Sequence, residues 1–202
     1  MLTGTAIGEA VAMGEIVIDP FDPDRLCANS YSFALGDTLL RYRTTTGVLD
    51  PMTDAPVTET IMGETGFVLE PGILYLGSTV EVMGGLRYAA TLHACRSVSS
   101  LGLRIQLSAP LGHCGAVIPW TLELRAAMAV RVYPGMTIGK IAFWPMQGRA
   151  GRYAGRYAGS GGVVRSLLSI RCPAPPASRE VIPSAGPDPV SSPFYPQREV
   201  RR

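Results

Sequence analysis

Short apolar runs separated by turn residues make up most of the hydrophobic pattern of this chain. Turn residues recur at Pro71-Gly72, Gly84-Gly85, Gly112 and Pro134-Gly135. Runs of this length and spacing are typical of the strands of a β-sandwich or β-barrel. The pattern predicts strands at 67–69, 73–76, 80–82, 103–107, 117–124, 129–133 and 138–143.

The N-terminal segment has a helical pattern instead. Its apolar residues follow the spacing of one helix face, and Gly14 stands where a helix C-cap is expected. Residues 3–13 are therefore predicted to form one short helix.

The remaining segments are predicted from their turn residues and strand-breaking residues. Residues 15–20 form a strand that a proline ends, and residues 31–43 hold two more strands around a Gly-Asp turn. The polar residues 44–66 are interpreted as a surface excursion. Residues 148–162 repeat Gly-Arg-Tyr-Ala, which predicts a mobile loop rich in hydrogen-bond donors.

Composition supports one mostly β domain with a tail. The chain has 202 residues, with 23 glycines and 17 prolines but only 17% charged residues, a mixture that favours strands and turns over long helices. Residues 1–165 are predicted to form the domain. Residues 166–202 are predicted to be a Pro-rich tail, and we expect disorder there because few aliphatic side chains are available for burial.

The charge and the cysteines exclude several classes of protein. A formal net charge of +2 gives no basic footprint for nucleic acid, although it permits a small anionic ligand. No apolar run is long enough to span a bilayer and no secretory signal is evident, so we expect a cytoplasmic protein without membrane contact. The four cysteines lack zinc-finger spacing, and we expect free, mostly buried thiols.

Two groups of motifs point to a known family. The run 14–26, followed by Asn29-Ser30-Tyr31 and Leu35-Gly36, is long and specific, and 69–72 and 134–143 are framework segments rich in turn glycines. Together they resemble the dCTP deaminase family. The resemblance extends over about residues 2–165.

The family resemblance implies a fold and an assembly. The fold would be mostly β, a distorted β-barrel of the β-clip, dUTPase-like kind with a short N-terminal helix. The assembly would be a homotrimer with its active sites between subunits. Cytosine would be deaminated without a metal or other cofactor for the chemistry, although Mg²⁺ can accompany the nucleotide phosphates.

The run 121–124 resembles the family strand that carries the catalytic glutamate, which makes Glu123 the candidate general base. A half-buried carboxylate can take a proton from water and pass it to the ring. By position in the family pattern, the Ser97 hydroxyl and the Ala109 carbonyl would hold that water. The structural alternatives are a salt bridge from Glu123 to Arg125 or to a neighbour's arginine, and a backbone-bonded Ser97 hydroxyl.

The resemblance also implies a set of substrate-binding residues. The segment 96–103 resembles the family run before Leu-Gly-Leu, and 153–160 resembles a phosphate clamp in which an arginine can bond phosphate bidentately. The alternatives are a solvated Arg96, an exposed turn at His113 and an uninvolved linker at 153–160. The candidate binding residues are Arg96, Ser99, Ser100, Gln106, His113, Tyr153, Arg156, Tyr157 and Ser160.

Several positions depart from the family pattern. Ser100 replaces a second arginine, Leu111 replaces an arginine found in some deaminases, and Ser160 replaces the glutamine of the clamp. His113 replaces the aspartate that reads the sugar hydroxyl, and an imidazole can donate as well as accept. We therefore expect altered recognition of the sugar and the phosphates.

These residues together favour hydrolytic deamination of a cytosine nucleotide, either dCTP or a related cytidine nucleotide. One alternative is a dUTP pyrophosphatase, which His113 disfavours because that reaction uses the missing aspartate to activate water. The other is a non-catalytic nucleotide-binding trimer. The zinc deaminases are disfavoured because their His-x-Glu and Pro-Cys-x-x-Cys signature is absent from the sequence.

Overall fold

The computed structural model describes residues 1–44, 47–149 and 151–169. These residues belong to one compact unit, Met1–Cys172. Residues 170–202, where disorder was predicted, lie outside the described residues.

Twelve strands and two short α-helices are described. The N-terminal helix begins after Thr3, whose side chain accepts a hydrogen bond from the Ala6 N–H, and it is followed by Gly14 with a φ of 70°. This confirms the predicted helix and its stop. The elements are α1 (Gly4–Ala12), β1 (Ile16–Asp19), β2 (Tyr31–Ala34), β3 (Thr38–Tyr42), β4 (Val57–Ile61), β5 (Phe67–Leu69), β6 (Leu74–Gly85), β7 (Tyr88–Ala94), α2 (Arg96–Ser100), β8 (Leu103–Arg104), β9 (Leu111–Gly112), β10 (Ile118–Ala126), β11 (Val130–Val132) and β12 (Thr137–Pro145).

The strands form three antiparallel sheets. The largest has the order β4-β3-β6-β10-β8, with β1 also paired to β6; the second has the order β2-β12-β7-β9; and β11 pairs with β5. The mostly β prediction is confirmed. Among the described residues the three sheets are not hydrogen-bonded to one another, so they are not closed into a barrel.

Several element predictions need correction. The strands within 31–43 are present as β2 and β3, but each joins a different sheet. The excursion 44–66 contains β4, which pairs with β3. The runs 73–76 and 80–82 merge into the single strand β6, the turn expected at Gly84-Gly85 is its last two residues, and Gly112 lies in β9.

One core lies between the two larger sheets and α1. Tyr31 and Phe33 from β2, Phe143 from β12 and Leu122 and Leu124 from β10 are all completely buried. Because Leu122 and Leu124 alternate with Glu123 along β10, the packing of the core directs the Glu123 side chain to the opposite face of the strand.

Gly84 allows β6 to approach the segment that precedes β10. A Cβ at this position would lie 2.0 Å from the Ala116 carbonyl oxygen and 2.8 Å from the Val117 Cα. Backbone atoms cannot move aside as a flexible side chain can, so Gly84→Ala is expected to lower the free energy of unfolding by about 2 kcal/mol. Urea denaturation measures this loss. Gly63→Ala is the matched control, because a Cβ there meets nothing within 4 Å, and equal losses in the two variants would contradict the account.

Candidate functional site

A cavity of about 570 Å³ lies beside β10. Most of its lining comes from the outer face of β10, from residues 106–116 between β8 and β10, and from the C-terminal segment, which we define as residues 151–169; β3 and β6 add Tyr42, Leu74 and Leu76. We call this space the β10 cavity. Apolar walls are supplied by Leu74 and Leu76 of β6 together with Ile118 and Trp120 of β10.

A β-bulge in β10 shapes the wall of this cavity. The register with β6 shifts between Pro119 and Thr121, and there the Trp120 N–H donates to the buried Thr79 hydroxyl at 2.9 Å. The irregularity lets Trp120 and Thr121, which are adjacent in sequence, both line the cavity. Bulges of this kind commonly re-aim side chains next to functional sites.

Glu123, the predicted general base, lies in the wall of the β10 cavity. Its carboxylate Oε2 accepts a hydrogen bond from the Leu107 N–H at 2.8 Å, and its own N–H donates to the Ile105 carbonyl at 2.9 Å. The side chain is half-buried. Among the described residues no salt bridge involves Glu123, so the pairing with Arg125 weighed as an alternative does not form within the chain. One carboxylate oxygen is therefore fixed by the backbone of residue 107.

Ala109 and Gln106 also line the cavity. Both lie in the loop that follows β8, the same loop that supplies the Leu107 N–H. The Gln106 side-chain amide donates to the Thr121 carbonyl at 3.5 Å, a long bond. The loop and the carboxylate therefore hold one another in place.

Two aromatic rings form a stack at the cavity. His113 and Tyr153 have ring centroids 5.1 Å apart and planes inclined by 11°, and the Tyr153 N–H donates to the Cys114 carbonyl at 2.9 Å. His113 therefore contacts the C-terminal segment through its ring, and it is also exposed, as the alternative of an exposed turn residue had it. Tyr157 and Ser160 of the same segment also line the cavity.

The C-terminal segment is bound to the domain by its backbone. The Val164 N–H donates to the Thr121 hydroxyl at 3.1 Å, and the Ser166 N–H donates to the Tyr42 hydroxyl at 2.8 Å. Within 153–160, Tyr153, Tyr157 and Ser160 line the cavity, and a role of this run in binding phosphate stays a prediction. Tyr42, Trp120, Thr121 and Arg165 line the cavity without having been predicted. Strand alternation from Glu123 was a signal for Thr121, whereas nothing in the sequence pattern pointed to the other three.

The remaining predicted residues lie elsewhere on the chain. Arg96, Ser97, Ser99 and Ser100 are exposed on α2, where the Ser100 hydroxyl donates to the Arg96 carbonyl at 2.8 Å. They and the exposed Arg156 are not among the described residues that line the β10 cavity. A single chain therefore does not bring the Ser97 hydroxyl to Glu123.

The described parts of the chain contain neither a metal-binding cluster nor a membrane-spanning helix. Within them, no three His, Cys, Asp or Glu side chains come together as a metal site. No helix there is long and apolar enough to cross a bilayer.

A thiol and an amine form a pair away from the cavity. Lys140 Nζ lies 2.8 Å from Cys27 Sγ, and the Ser32 hydroxyl lies 3.3 Å from the same sulfur. The hydrogen bond from Lys140, with that from Ser32, holds the pKa of Cys27 below its ordinary value, and the same bond raises the pKa of Lys140. Cys27 is half-buried, whereas Cys95 and Cys114 are buried, and burial raises the pKa of Cys95.

Of the three described thiols, Cys27 should react at the lowest pH, because its pKa is lowered and the thiolate is the nucleophile. Alkylation of native protein with iodoacetamide, followed by peptide mass spectrometry, is expected to label Cys27 before Cys95 and Cys114. The pH of half-maximal labelling should lie below that of Cys27 in the urea-unfolded chain. Lys140→Met should shift it upward, and coinciding native and unfolded profiles would contradict the pairing.

Comparisons with known proteins identify the family. Residues 1–146 match the sequence model of the dCTP deaminase-like family. The chain is 37% identical over 155 residues to a dCTP deaminase of Rhodopirellula baltica, covering 76% of this chain and 77% of that protein. It is 35% identical over 170 residues to a dUMP-forming dCTP deaminase of Cytophaga hutchinsonii, covering 83% and 96%.

A solved structure supports the fold. The crystal structure of the 2'-deoxycytidine 5'-triphosphate deaminase of Agrobacterium tumefaciens superposes with a TM-score of 0.55 at 20% identity, over 70% of this chain. The superposition spans about half of the length of that protein, 47%. With the match of the family model and the two relatives, the conclusion is that the chain belongs to the dCTP deaminase family.

Proposed function

We propose that this protein hydrolyses a cytosine nucleotide, dCTP or a related cytidine nucleotide, to the uracil nucleotide and ammonia. The observation that carries the proposal is the position of Glu123, a half-buried carboxylate with one oxygen fixed by the Leu107 N–H in the wall of the β10 cavity. Relatives at 35–37% identity bear the name dCTP deaminase.

The proposed reaction needs one base that acts twice. Glu123 takes a proton from a water molecule, the resulting hydroxide bonds to C4 of the ring, and the proton passes to N3. The carboxylate then relays the proton of the C4 hydroxyl to the amino group, the C4–N bond breaks, ammonia leaves, and the hydroxyl oxygen becomes the C4 carbonyl. Cytosine and water thus give uracil and ammonia with all atoms accounted for. A positioned acid–base group of this kind typically contributes about 10²–10⁴-fold to the rate.

The water needs more than one partner to be held for attack. The Ala109 carbonyl lies in the loop that lines the cavity and is one candidate. Ser97 is the other, and it lies on α2 outside the cavity of its own chain. We therefore propose a homotrimer in which α2 of a neighbouring subunit brings Ser97 and Arg96 to Glu123, with Ser99 and Ser100 beside them.

The nucleotide itself would be held by the rest of the cavity. Its apolar walls suit a pyrimidine ring, and the stacked His113 and Tyr153 offer an aromatic face and a ring nitrogen to the sugar. Tyr157, Ser160 and the Gly-rich backbone around Arg156 would meet the phosphates. Any Mg²⁺ would arrive with those phosphates, and no cofactor is proposed for the chemistry at C4.

Pyrophosphate release is a second candidate activity. The relative from Cytophaga hutchinsonii is named a dUMP-forming dCTP deaminase, which favours loss of pyrophosphate after deamination. Against it stands His113, which occupies the place where the family pattern has an acceptor aspartate. We therefore expect the triphosphate product to accumulate faster than the monophosphate.

A panel of nucleotides tests the proposal. The purified protein would be incubated with dCTP, CTP, dCMP and CMP while ammonia release and the loss of cytosine absorbance are followed. Ammonia from at least one of them supports the proposal, and the ranking identifies the sugar and the phosphate number. Pyrophosphate without ammonia, or no turnover of any of the four, would refute it.

A further inference from the structure

Arg165 is the one residue with a permanent positive charge among the described residues that line the β10 cavity. A nucleotide with several phosphates needs cationic partners, and Arg156 and Arg96 lie outside this lining. Arg165 was not predicted as a site residue because it lies beyond the glycine-rich clamp pattern. Its position makes it the cation that a bound nucleotide would meet within the same chain.

The guanidinium of Arg165 is occupied by a carboxylate. Its Nε donates to Asp54 Oδ1 at 3.0 Å and its Nη2 donates to Asp54 Oδ2 at 2.7 Å, a bidentate pair. Asp54 belongs to the excursion between β3 and β4, and its side chain is 64% exposed. The same fork geometry fits two oxygens of a phosphate as well as it fits a carboxylate.

The position of Arg165 does not depend on Asp54. The residue before it is held by the bond from the Val164 N–H to the Thr121 hydroxyl, and the residue after it by the bond from the Ser166 N–H to the Tyr42 hydroxyl. Both anchors are in the cavity wall. The backbone of Arg165 is thus held at the cavity by contacts other than the ion pair.

The ion pair with Asp54 is easily exchanged. Solvent-exposed ion pairs contribute little net free energy, because water and salt screen them. A phosphate chain carries several negative charges and would compete well against one exposed carboxylate for the same donors. The carboxylate therefore acts as a stand-in for an anionic ligand.

We propose that Arg165 is a phosphate-binding residue of the site and that Asp54 holds it until a nucleotide phosphate displaces the carboxylate. The inference rests on the proposed function for the identity of the ligand. It makes Asp54 a competitor of the substrate, with a negative effect on binding.

Substitutions of each partner, Arg165 and Asp54, test whether phosphate replaces the carboxylate. Arg165→Gln is expected to raise the KM for dCTP about tenfold, close to the loss of one charge-assisted interaction, while kcat changes much less. Asp54→Asn should lower the KM about two- to fivefold, since the competitor is gone. Arg165→Lys should fall between wild type and Arg165→Gln because its ammonium is a point charge without the fork.

The KM is expected to rise in Arg165→Gln and to fall in Asp54→Asn, and this difference in direction distinguishes phosphate binding from a purely structural role. A pair that only fastens the C-terminal segment would make both substitutions raise the KM, and that outcome would overturn the inference. Deoxycytidine, which lacks phosphate, should show the same KM in wild type and Arg165→Gln. Arg41→Gln is the matched control, because Arg41 pairs with Glu70 on the surface at 3.8 Å and does not line the cavity.

Calorimetric titration with inorganic tripolyphosphate distinguishes failure of this inference from failure of the proposed function. If wild type releases no ammonia from any cytosine nucleotide, the proposed function fails. The tripolyphosphate Kd should still rise in Arg165→Gln and fall in Asp54→Asn. If wild type deaminates but tripolyphosphate does not bind, or binds Arg165→Gln as tightly as wild type, the inference fails and the proposed function stands.

Discussion

Replacing Glu123 with glutamine is expected to lower kcat by about 10³-fold, within the range usual for loss of a general base. The glutamine keeps the size of the side chain, and its carbonyl oxygen can still accept the Leu107 N–H that Glu123 accepts at 2.8 Å. What it loses is the capacity to take a proton from water. The KM for the nucleotide should change much less than kcat. Initial rates of ammonia release measure both constants.

The matched control for this substitution is Glu59→Gln. Glu59 is exposed on β4 and does not line the β10 cavity, so its activity should equal that of wild type. Unfolding of Glu123→Gln in urea should also match wild type. Retention of more than about a tenth of the wild-type kcat in Glu123→Gln would remove the residue from the proposed role.

The largest effect on stability is expected at Glu81. This carboxylate is 1% exposed, accepts from Arg25 Nη1 at 2.6 Å and accepts from the buried Ala34 N–H at 3.0 Å. Removing one partner of a buried ion pair leaves the other without its countercharge, which typically costs about 3–5 kcal/mol. Because Arg25 is 31% exposed, we expect Glu81→Gln to lower the free energy of unfolding by about 3 kcal/mol. Urea denaturation at a fixed protein concentration measures the change.

A surface pair of the same residue types provides the control. Glu70 and Arg41 are both at least half exposed and are separated by 3.8 Å, so Glu70→Gln should change the stability by less than about 0.5 kcal/mol. The double variant Arg25→Met with Glu81→Met should recover part of the loss, since neither charge remains to be buried. Equal effects at Glu81 and Glu70 would show that burial does not govern this pair.

The sequence was sufficient where one physical rule decided the structure. Side chains alternate along a strand, so the sequence 121–124 by itself predicts the two leucines on one face and Glu123 on the other, and Leu122 and Leu124 are completely buried in the core. The cap formed by Thr3 and the left-handed Gly14 likewise define α1 by local chemistry alone. Local rules of this kind need no knowledge of the rest of the fold.

Strand β7 escaped prediction because its residues are weak strand formers. Three of its seven residues are alanines, and alanine is depleted in strands. The strand forms because β12 pairs along its whole length and β9 pairs at its other edge. Likewise, β4 lies in a polar segment and is specified by its pairing with β3. Tertiary pairing overrides propensity in both cases.

The contacts between the C-terminal segment and the rest of the domain could not be predicted for a related reason. Arg165 and Asp54 are 111 residues apart, and Ser166 and Tyr42 are 124 apart. Contacts at such separations are determined by the whole fold, whereas sequence patterns report neighbours within a few residues. The bulge at Trp120 is similar, because it depends on the hydroxyl of Thr79 on another strand.

Isotope transfer from water identifies the atom that the water attacks. The protein would be supplied with dCTP in H₂¹⁸O, and the products analysed by mass spectrometry. The account predicts one ¹⁸O atom at C4 of the uracil ring in wild type and almost none formed by Glu123→Gln over the same time. A cytosine ring that remains intact while ¹⁸O enters a phosphate product would contradict it, since water would then attack phosphorus and not carbon.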